Sequence, residues 1–237
     1  MFLDSFYQMD QGLITITPEQ GSRFAKEVAN DFNPLHNPDA KRFCVPGDLL
    51  FSLVLSTMGL SQNMTFKYTG MVGKGAALKF PQAGDGEFAI CDLNDKSYLE
   101  VSCSGATSDD QTLIENFARA YVAFSGLSFP HILVPLMEKN KVMINPERPM
   151  VIYESMAFEL HDLNLDKPQL KLTDSSLQVD GKRGLVTLSF DILENDILVG
   201  TGRKTMTLGG LREYDKVKMQ SLIDLYEQSK QDYLEVA

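Results

Sequence analysis

Between Gly47 and Leu60 the chain reads GDLLFSLVLSTMGL, and Leu49, Leu50, Phe51, Leu53, Val54, Leu55, Met58 and Leu60 leave it almost no polar face. At helical spacing these side chains point in nearly every direction, so the helix must be enclosed by the protein. A rise of ~1.5 Å per residue gives it a length of roughly 20 Å, enough to thread a small domain. The segments after it read as short strands: Met64 to Tyr68, Ala77 to Phe80, Glu87 to Cys91, Tyr98 to Ser104 and Leu113 to Phe124. Turn residues separate them, notably Gly84-Asp85-Gly86 and Asn94-Asp95. A buried helix followed by antiparallel strands predicts a sheet wrapped around that helix.

The pattern then recurs. Phe129-Pro130-His131 opens a second apolar segment, Ile132 to Met137, as Val45-Pro46-Gly47 opens the first. Strands are expected at Met150 to Leu160, Leu170 to Val179, Leu185 to Leu193 and Ile197 to Leu208. Val186, Leu188, Phe190 and Ile192 alternate as in a sheet with one buried face. The offset of about 85 residues marks a duplication and not a solenoid. Pro135 falls inside the second helix and is expected to break or restart it. From Leu211 onward, Leu211, Tyr214, Val217, Leu222, Leu225 and Tyr226 among many charges predict a stabilising C-terminal helix.

Chemistry concentrates just before the first apolar helix. Thr17-Pro18-Glu19-Gln20 reads as a capping box with Pro at the first helical position, and the helix is expected to fail at Asn30-Asp31. The loop NDFNPLHNPD follows, with Asp31, Asn33, Pro34 and His36 in six residues. Pro34 fixes its own φ and holds Asn33 extended, so the segment is a shaped bend. Pro46 and Gly47 then start the apolar helix, whose first N–H groups suit a developing negative charge on oxygen. The set offers an acid/base pair beside an oxyanion site.

Composition narrows the classes. A net charge of −10 argues against general nucleic-acid binding, since nothing neutralises phosphates in bulk. Three cysteines, Cys44, Cys91 and Cys103, form no CxxC pair and imply neither a disulfide framework nor a metal site. Cys44 lies near the loop without a visible nucleophilic partner. No basic residue precedes Arg23, so no secretory signal is read, and no apolar run is long enough to span a bilayer. A cytoplasmic location is the expectation. Gly70 to Gly75 looks superficially like a phosphate loop but lacks the GKS/T ending.

The stretch ITPEQGSRFAKEVANDFNPLH is similar to the start of the MaoC-like (R)-specific enoyl-CoA hydratases, and Asp31, Asn33, Pro34 and His36 match their D-x-N-P-x-H loop residue by residue. Gly47 matches the turn whose N–H groups are expected to bind the thioester oxygen, and FPQAGDGEFAI (Phe80 to Ile90) resembles their turn-and-strand pattern with its Gly-Asp pair. The close resemblance covers about the first 90 residues. The whole chain also resembles an uncharacterised bacterial family of the same layout. The fold so implied is α+β, a double hot-dog: two copies of an antiparallel sheet around a central helix. Residues 1–126 are expected to form the half carrying the loop, 127–210 a degenerate second half, and 211–237 an added C-terminal helix.

The resemblance implies a hydratase or dehydratase acting on an acyl thioester. Asp31 and His36 would hold the reacting water, Asn33 would orient them, and Gly47 N–H would stabilise an enolate-like oxygen. Acyl-CoA enters as substrate or ligand, with no separate cofactor, and a homodimer is left open as a partner state. Lys67, Lys74, Lys79 and Arg119 are the cations available for CoA phosphates, and the sequence does not choose among them. Two departures stand out. The segment from His36 to Gly47 is shorter than in typical hydratases, and Asp48 replaces an apolar residue. Both favour a rival reading, a non-catalytic acyl-CoA-binding protein, while the intact Asp31/Asn33/His36 set favours the enzyme; an acyl-CoA thioesterase is a third option, since related folds cleave the same ligands.

Overall fold

The computed structural model describes residues 2–81 and 86–236. The strands are β1 (Gln8–Asp10), β2 (Leu13–Thr15), β3 (Leu60–Tyr68), β4 (Ala77–Lys79), β5 (Glu87–Cys91), β6 (Ser97–Ser108), β7 (Val142–Met143), β8 (Val151–Leu160), β9 (Gln169–Asp180), β10 (Arg183–Glu194), β11 (Ile197–Gly209) and β12 (Arg212–Glu213). The α-helices are α1 (Pro18–Arg23), α2 (Gly47–Met58), α3 (Gln111–Gly126), α4 (Leu133–Lys139) and α5 (Lys216–Val236). Ten strands form one sheet in the order β1-β2-β4-β5-β6-β3-β8-β11-β10-β9, while β12 and β7 pair separately. The junction is an antiparallel β3–β8 ladder running from Asn63↔Glu159 to Lys67↔Ser155. Strands up to Ser108 lie on one side of it and strands from Val151 on the other.

The all-round apolar pattern of α2 has the expected consequence: Leu49 to Leu55 are all buried. Phe51 packs edge-on against Phe66 of β3 at 5.0 Å and at a tilt against Tyr121 of α3 at 4.5 Å. Phe117 of α3 meets Phe158 of β8 at 4.9 Å, so both helices share the concave apolar face of the sheet. On β10, Val186, Leu188, Phe190 and Ile192 are buried in the alternation expected of them. A second core gathers α4, the start of α5 and the far ends of β9 to β11. The architecture is the α+β double hot-dog, two central helices in one antiparallel sheet with a C-terminal helix.

Several expectations need correction. Leu113 to Phe124 is not a strand but lies inside α3. Its buried residues Leu113, Ile114, Phe117, Ala118, Tyr121 and Val122 recur at three- and four-residue spacing, and Asp110 caps the first turn through Thr112 N–H at 2.8 Å. The aromatic and β-branched content of that stretch imitates a strand, but its period is helical. Pro135 does not break its helix, because it is the third residue of α4, where a missing N–H costs no intrahelical bond. The interruption falls earlier, at the non-helical Phe129. The C-terminal helix begins at Lys216 and not at Leu211, since Arg212 and Glu213 pair with β7. The turn read at Gly84-Asp85-Gly86, and with it the Gly-Asp pair of Phe80 to Ile90, falls largely outside the described residues. Among the described residues no single helix is long and apolar enough to cross a membrane.

One close approach ties α3 to the loop of interest. A Cβ added to Gly126 would lie 1.6 Å from the Ala29 carbonyl oxygen, a backbone atom that cannot swing aside. Gly126→Ala should therefore cost about 2 kcal/mol or more, in the manner of an overpacked core. Urea denaturation checks this, and an unchanged midpoint would mean the two backbones are not held together.

Candidate active site

The Asp31–His36 loop is built in three local steps. Thr17 caps α1 with a reciprocal Gln20 bond, as the sequence predicts, and the helix continues through one wide turn at Phe24–Val28. Asn30 then adopts φ 52°, the left-handed conformation that Asn tolerates at a helix end, and Asp31 N–H still donates to Ala25 O at 2.8 Å. Next, Asn33 N–H donates to Asp31 Oδ1 at 2.9 Å, and Asn33 Oδ1 accepts from Leu35 N–H at 3.1 Å. That second bond caps the short 3-10 turn Pro34–His36, on which the histidine rides. Asn33 thus positions the acid through its backbone and the histidine through its side chain.

His36 Nδ1 lies 2.7 Å from the Cys44 carbonyl oxygen. A carbonyl only accepts, so Nδ1 carries the proton and Nε2 of the neutral ring is the free acceptor. Nε2 faces Asp31 Oδ2 at 3.7 Å, too far for a direct hydrogen bond. Cys44 contributes its carbonyl and not its sulfur: burial pushes the thiol up to about 11, and Sγ–H donates to Val45 O.

The loop is held from outside by α5. The Tyr226 hydroxyl donates to Asn30 O and accepts from Phe32 N–H, both at 3.2 Å, and the Phe32 ring packs edge-on against Tyr226 and Tyr233 at 6.0 Å. The terminal helix therefore braces the loop as well as covering the core.

Gly47 stands across the same cavity. Its α2 has no side-chain cap, unlike α1 and α3, so the first N–H groups of the helix are not taken by a neighbouring side chain. The position is crowded. A Cβ on Gly47 would meet the Tyr153 ring at 2.8 Å and the Tyr68 ring at 3.1 Å. Those rings stack at 4.5 Å across the β3–β8 junction, and Tyr68 OH donates to Gly47 O at 3.0 Å. Asp31, Asn33, His36 and Gly47 all line a single cavity of about 660 Å³, with apolar walls from residues such as Leu50, Val72, Leu133 and Met206. That volume suits a small-molecule ligand.

Sequence reasoning missed the polar floor of this cavity. Lys204, on β11, is 3% exposed. Its ammonium donates to the Ser125 hydroxyl of α3 and lies 4.1 Å from the Tyr153 ring centre. Asp48 keeps a little surface on the cavity wall, but its Oδ1 is enclosed without a hydrogen-bond partner. Burial raises the Asp48 carboxyl above its ordinary range, against the pull of the Lys204 charge and a bond offered by Ser125. Burial likewise lowers Lys204, opposed by Asp48 and Asp31. A signal for Lys204 was present: it shares the two-residue alternation of Met206 and Leu208, which are buried on β11. Among the four cations considered for phosphates, Lys67, Lys79 and Arg119 are engaged by Glu100, Asp95 and Glu115. Lys74 lies two residues beyond Val72 of the cavity wall. Among the described residues no group of three or more His, Cys, Asp or Glu is placed to hold a metal ion.

The fold, an antiparallel hot-dog sheet around central helices, gives the structural class. Within it, the chain belongs to the family described as "Protein of unknown function (DUF3581)", whose model matches residues 1–217. No curated protein matches the sequence. Among solved structures, the chain is similar to the tesB protein of Mycobacterium avium subspecies paratuberculosis, with 9% identity, 87% of this chain and 97% of that one covered, and a TM-score of 0.46. A hot-dog protein of unknown function from Alicyclobacillus acidocaldarius gives 8%, 88%, 98% and 0.46. A MaoC-like dehydratase gives 9%, 86%, 98% and 0.43. These likenesses carry no argument about activity.

The raised Asp48 carboxyl has a measurable consequence. The folded protein holds that proton more tightly than the unfolded chain, so the contribution is full below the ordinary value of 3.8 and is lost as pH rises through the raised pKa. Urea midpoints of the protein and of Asp48→Asn, compared from about pH 4 upward, should diverge, with the unsubstituted protein losing stability relative to the variant. A difference that stays flat with pH would mean that Asp48 is solvated as in an unfolded chain.

Proposed function

We propose that the protein binds an acyl thioester in this cavity and adds water to, or removes it from, the α,β-position of the acyl group. One observation carries the reading: Asp31 Oδ2 and His36 Nε2 are two acceptors 3.7 Å apart, on residues that both line a ligand-sized cavity. Neither can bond to the other while the ring is neutral. Both can accept from one water, which then has its two protons engaged and a lone pair turned away from the protein.

In the hydration direction the water oxygen attacks the β-carbon of a trans-2-enoyl thioester. His36 Nε2 takes one water proton, and the double-bond electrons move toward the thioester carbonyl. The negative charge gathering on that oxygen is met by the N–H groups at the start of α2, Gly47 first. A donor of this kind is worth roughly 3 kcal/mol in other enzymes. The enolate then collapses as the α-carbon takes a proton from His36, which restores the neutral ring. Asp31 orients the water and stabilises the imidazolium. Asn33 keeps Asp31 Oδ1 occupied, leaving Oδ2 for the water. A CoA moiety would leave the cavity past the Gly70–Val72 segment, and Lys74, two residues beyond it, would meet its phosphates.

The test is loss of enoyl absorbance over a chain-length series of trans-2-enoyl-CoA substrates. Turnover is expected, and Asp31→Asn should lower it by roughly 100-fold or more, the usual size of a general acid/base contribution, with an unchanged circular dichroism spectrum. Undiminished turnover in the variant would remove Asp31 from the reaction. Release of free CoA without loss of the double bond would replace the hydratase reading with a thioesterase. Acyl-CoA binding without either reaction would leave a binding protein.

A further inference from the structure

Asp31 is oriented by more than its own loop. The peptide group on each side of it ends on one phenol, since the Tyr226 hydroxyl donates to Asn30 O and accepts from Phe32 N–H, both at 3.2 Å. Asp31 N–H is taken separately, by Ala25 O at 2.8 Å. The phenol comes from α5, 196 positions from Asn30 along the chain. Among the described residues Phe32 N–H has no other acceptor, and Phe32 is buried. Removing the hydroxyl would leave that donor enclosed and unpaired, a state the loop can relieve only by moving.

The phenol is set to hold and not to react. Burial, and after it the charge of Asp31, raise its pKa, so it stays protonated and keeps its single donor on Asn30 O. Its ring is seated edge-on against Phe32 at 6.0 Å and against Phe129 at 5.1 Å. Among the described residues of α5 only Met219 and Tyr226 are buried, so Tyr226 also fastens the middle of that helix. What it fixes is the spacing of the reacting groups. Asp31 Oδ2 stands 3.7 Å from His36 Nε2, while His36 is tied through its other ring nitrogen to the Cys44 carbonyl. A displaced Asp31 is therefore not followed by the histidine. Misplacing a reacting group by about 1 Å can lower a rate by roughly 100-fold.

We propose that Tyr226 is a positioning residue of the reaction: through the Asn30 and Phe32 peptide groups it holds the Asp31 carboxylate at the spacing from His36 that one water bridges. This rests on the hydration reading above. It gives α5 a part in the reaction beyond covering the core.

Steady-state kinetics on a trans-2-enoyl-CoA test it, with Tyr226→Phe, Tyr233→Phe, Asp31→Asn and the Asp31→Asn/Tyr226→Phe double variant. Tyr226→Phe removes the hydroxyl and keeps the ring. Its kcat should fall by about tenfold or more while KM changes by less than about twofold, because the residue sets the acid and not the ligand. Tyr233→Phe removes a second hydroxyl of α5, one that donates to Glu27 Oε1 at 2.9 Å and not to the loop. That control should keep kcat within about twofold of the unsubstituted protein. In the Asp31→Asn background Tyr226→Phe should cost less than about twofold more, since its effect passes through the carboxylate. Should Tyr226→Phe fail to fold, Phe32→Leu, which strips the ring that seats Tyr226 and keeps the peptide group, carries the same kcat expectation. An unchanged kcat in Tyr226→Phe would overturn the inference and leave the hydration reading in place. Equal losses in the two tyrosine variants would overturn it in favour of a plain fastening of α5, and a further loss of about tenfold in the double variant would detach the effect from Asp31. No turnover by the unsubstituted protein would sink the hydration reading and this inference together.

Discussion

The β3–β8 ladder is the interaction on which the remainder of the structure depends. Five paired positions join strands from before Ser108 to strands from after Val151, and so turn two strand sets into one sheet. The ladder brings Tyr68 beside Tyr153, and these stacked rings close over Gly47 at the start of α2. Only a residue without a Cβ fits there. The same junction carries β11, hydrogen-bonded to β8, and with it Lys204 toward the floor of the cavity. The cavity is therefore a product of both strand sets. Neither the Asp31 loop nor the Lys204 strand could enclose it alone.

Two kinds of polarity meet inside that enclosure. At one side Asp31 and His36 have their remaining valences saturated by the backbone: Asn33 N–H on one, the Cys44 carbonyl on the other. Asp31 Oδ2 and His36 Nε2 are left as acceptors 3.7 Å apart. At the other side, Asp48, Lys204 and Tyr153 are incompletely satisfied by the protein. The contrast between the two sides is chemical as well as spatial: one is tied down by the backbone, and the other holds enclosed polar atoms without partners. α5 adds to the first side, since Tyr226 satisfies the backbone on either side of Asp31.

Much of this was legible in the sequence because it is local. The Thr17–Gln20 capping box, the end of the first helix at Asn30, the bend at Pro34 and the enclosed helix from Gly47 each follow from a few adjacent residues. The alternation of Val186 to Ile192 is local in the same sense. What escaped was non-local or ambiguous by composition. Leu113 to Phe124 has strand-like residue types, and only its three- and four-residue spacing reveals α3. Asp48 was visible as an odd residue at a helix start, but its meaning depends on Lys204, which lies 156 positions further on (204 − 48) and reaches it only through the sheet. Lys204 itself reads as a surface cation unless its alternation with Met206 and Leu208 is taken seriously. Gly126 gave no signal in the sequence, because its contact with the Ala29 carbonyl, which places α3 against the loop, is non-local.

The most direct test of the account is a crystal structure of Asp31→Asn with a trans-2-enoyl-CoA bound. The account predicts the acyl group inside the cavity, its carbonyl oxygen within about 3 Å of Gly47 N–H and its β-carbon facing His36 Nε2. A ligand held outside the cavity, or a carbonyl turned away from the start of α2, would contradict it.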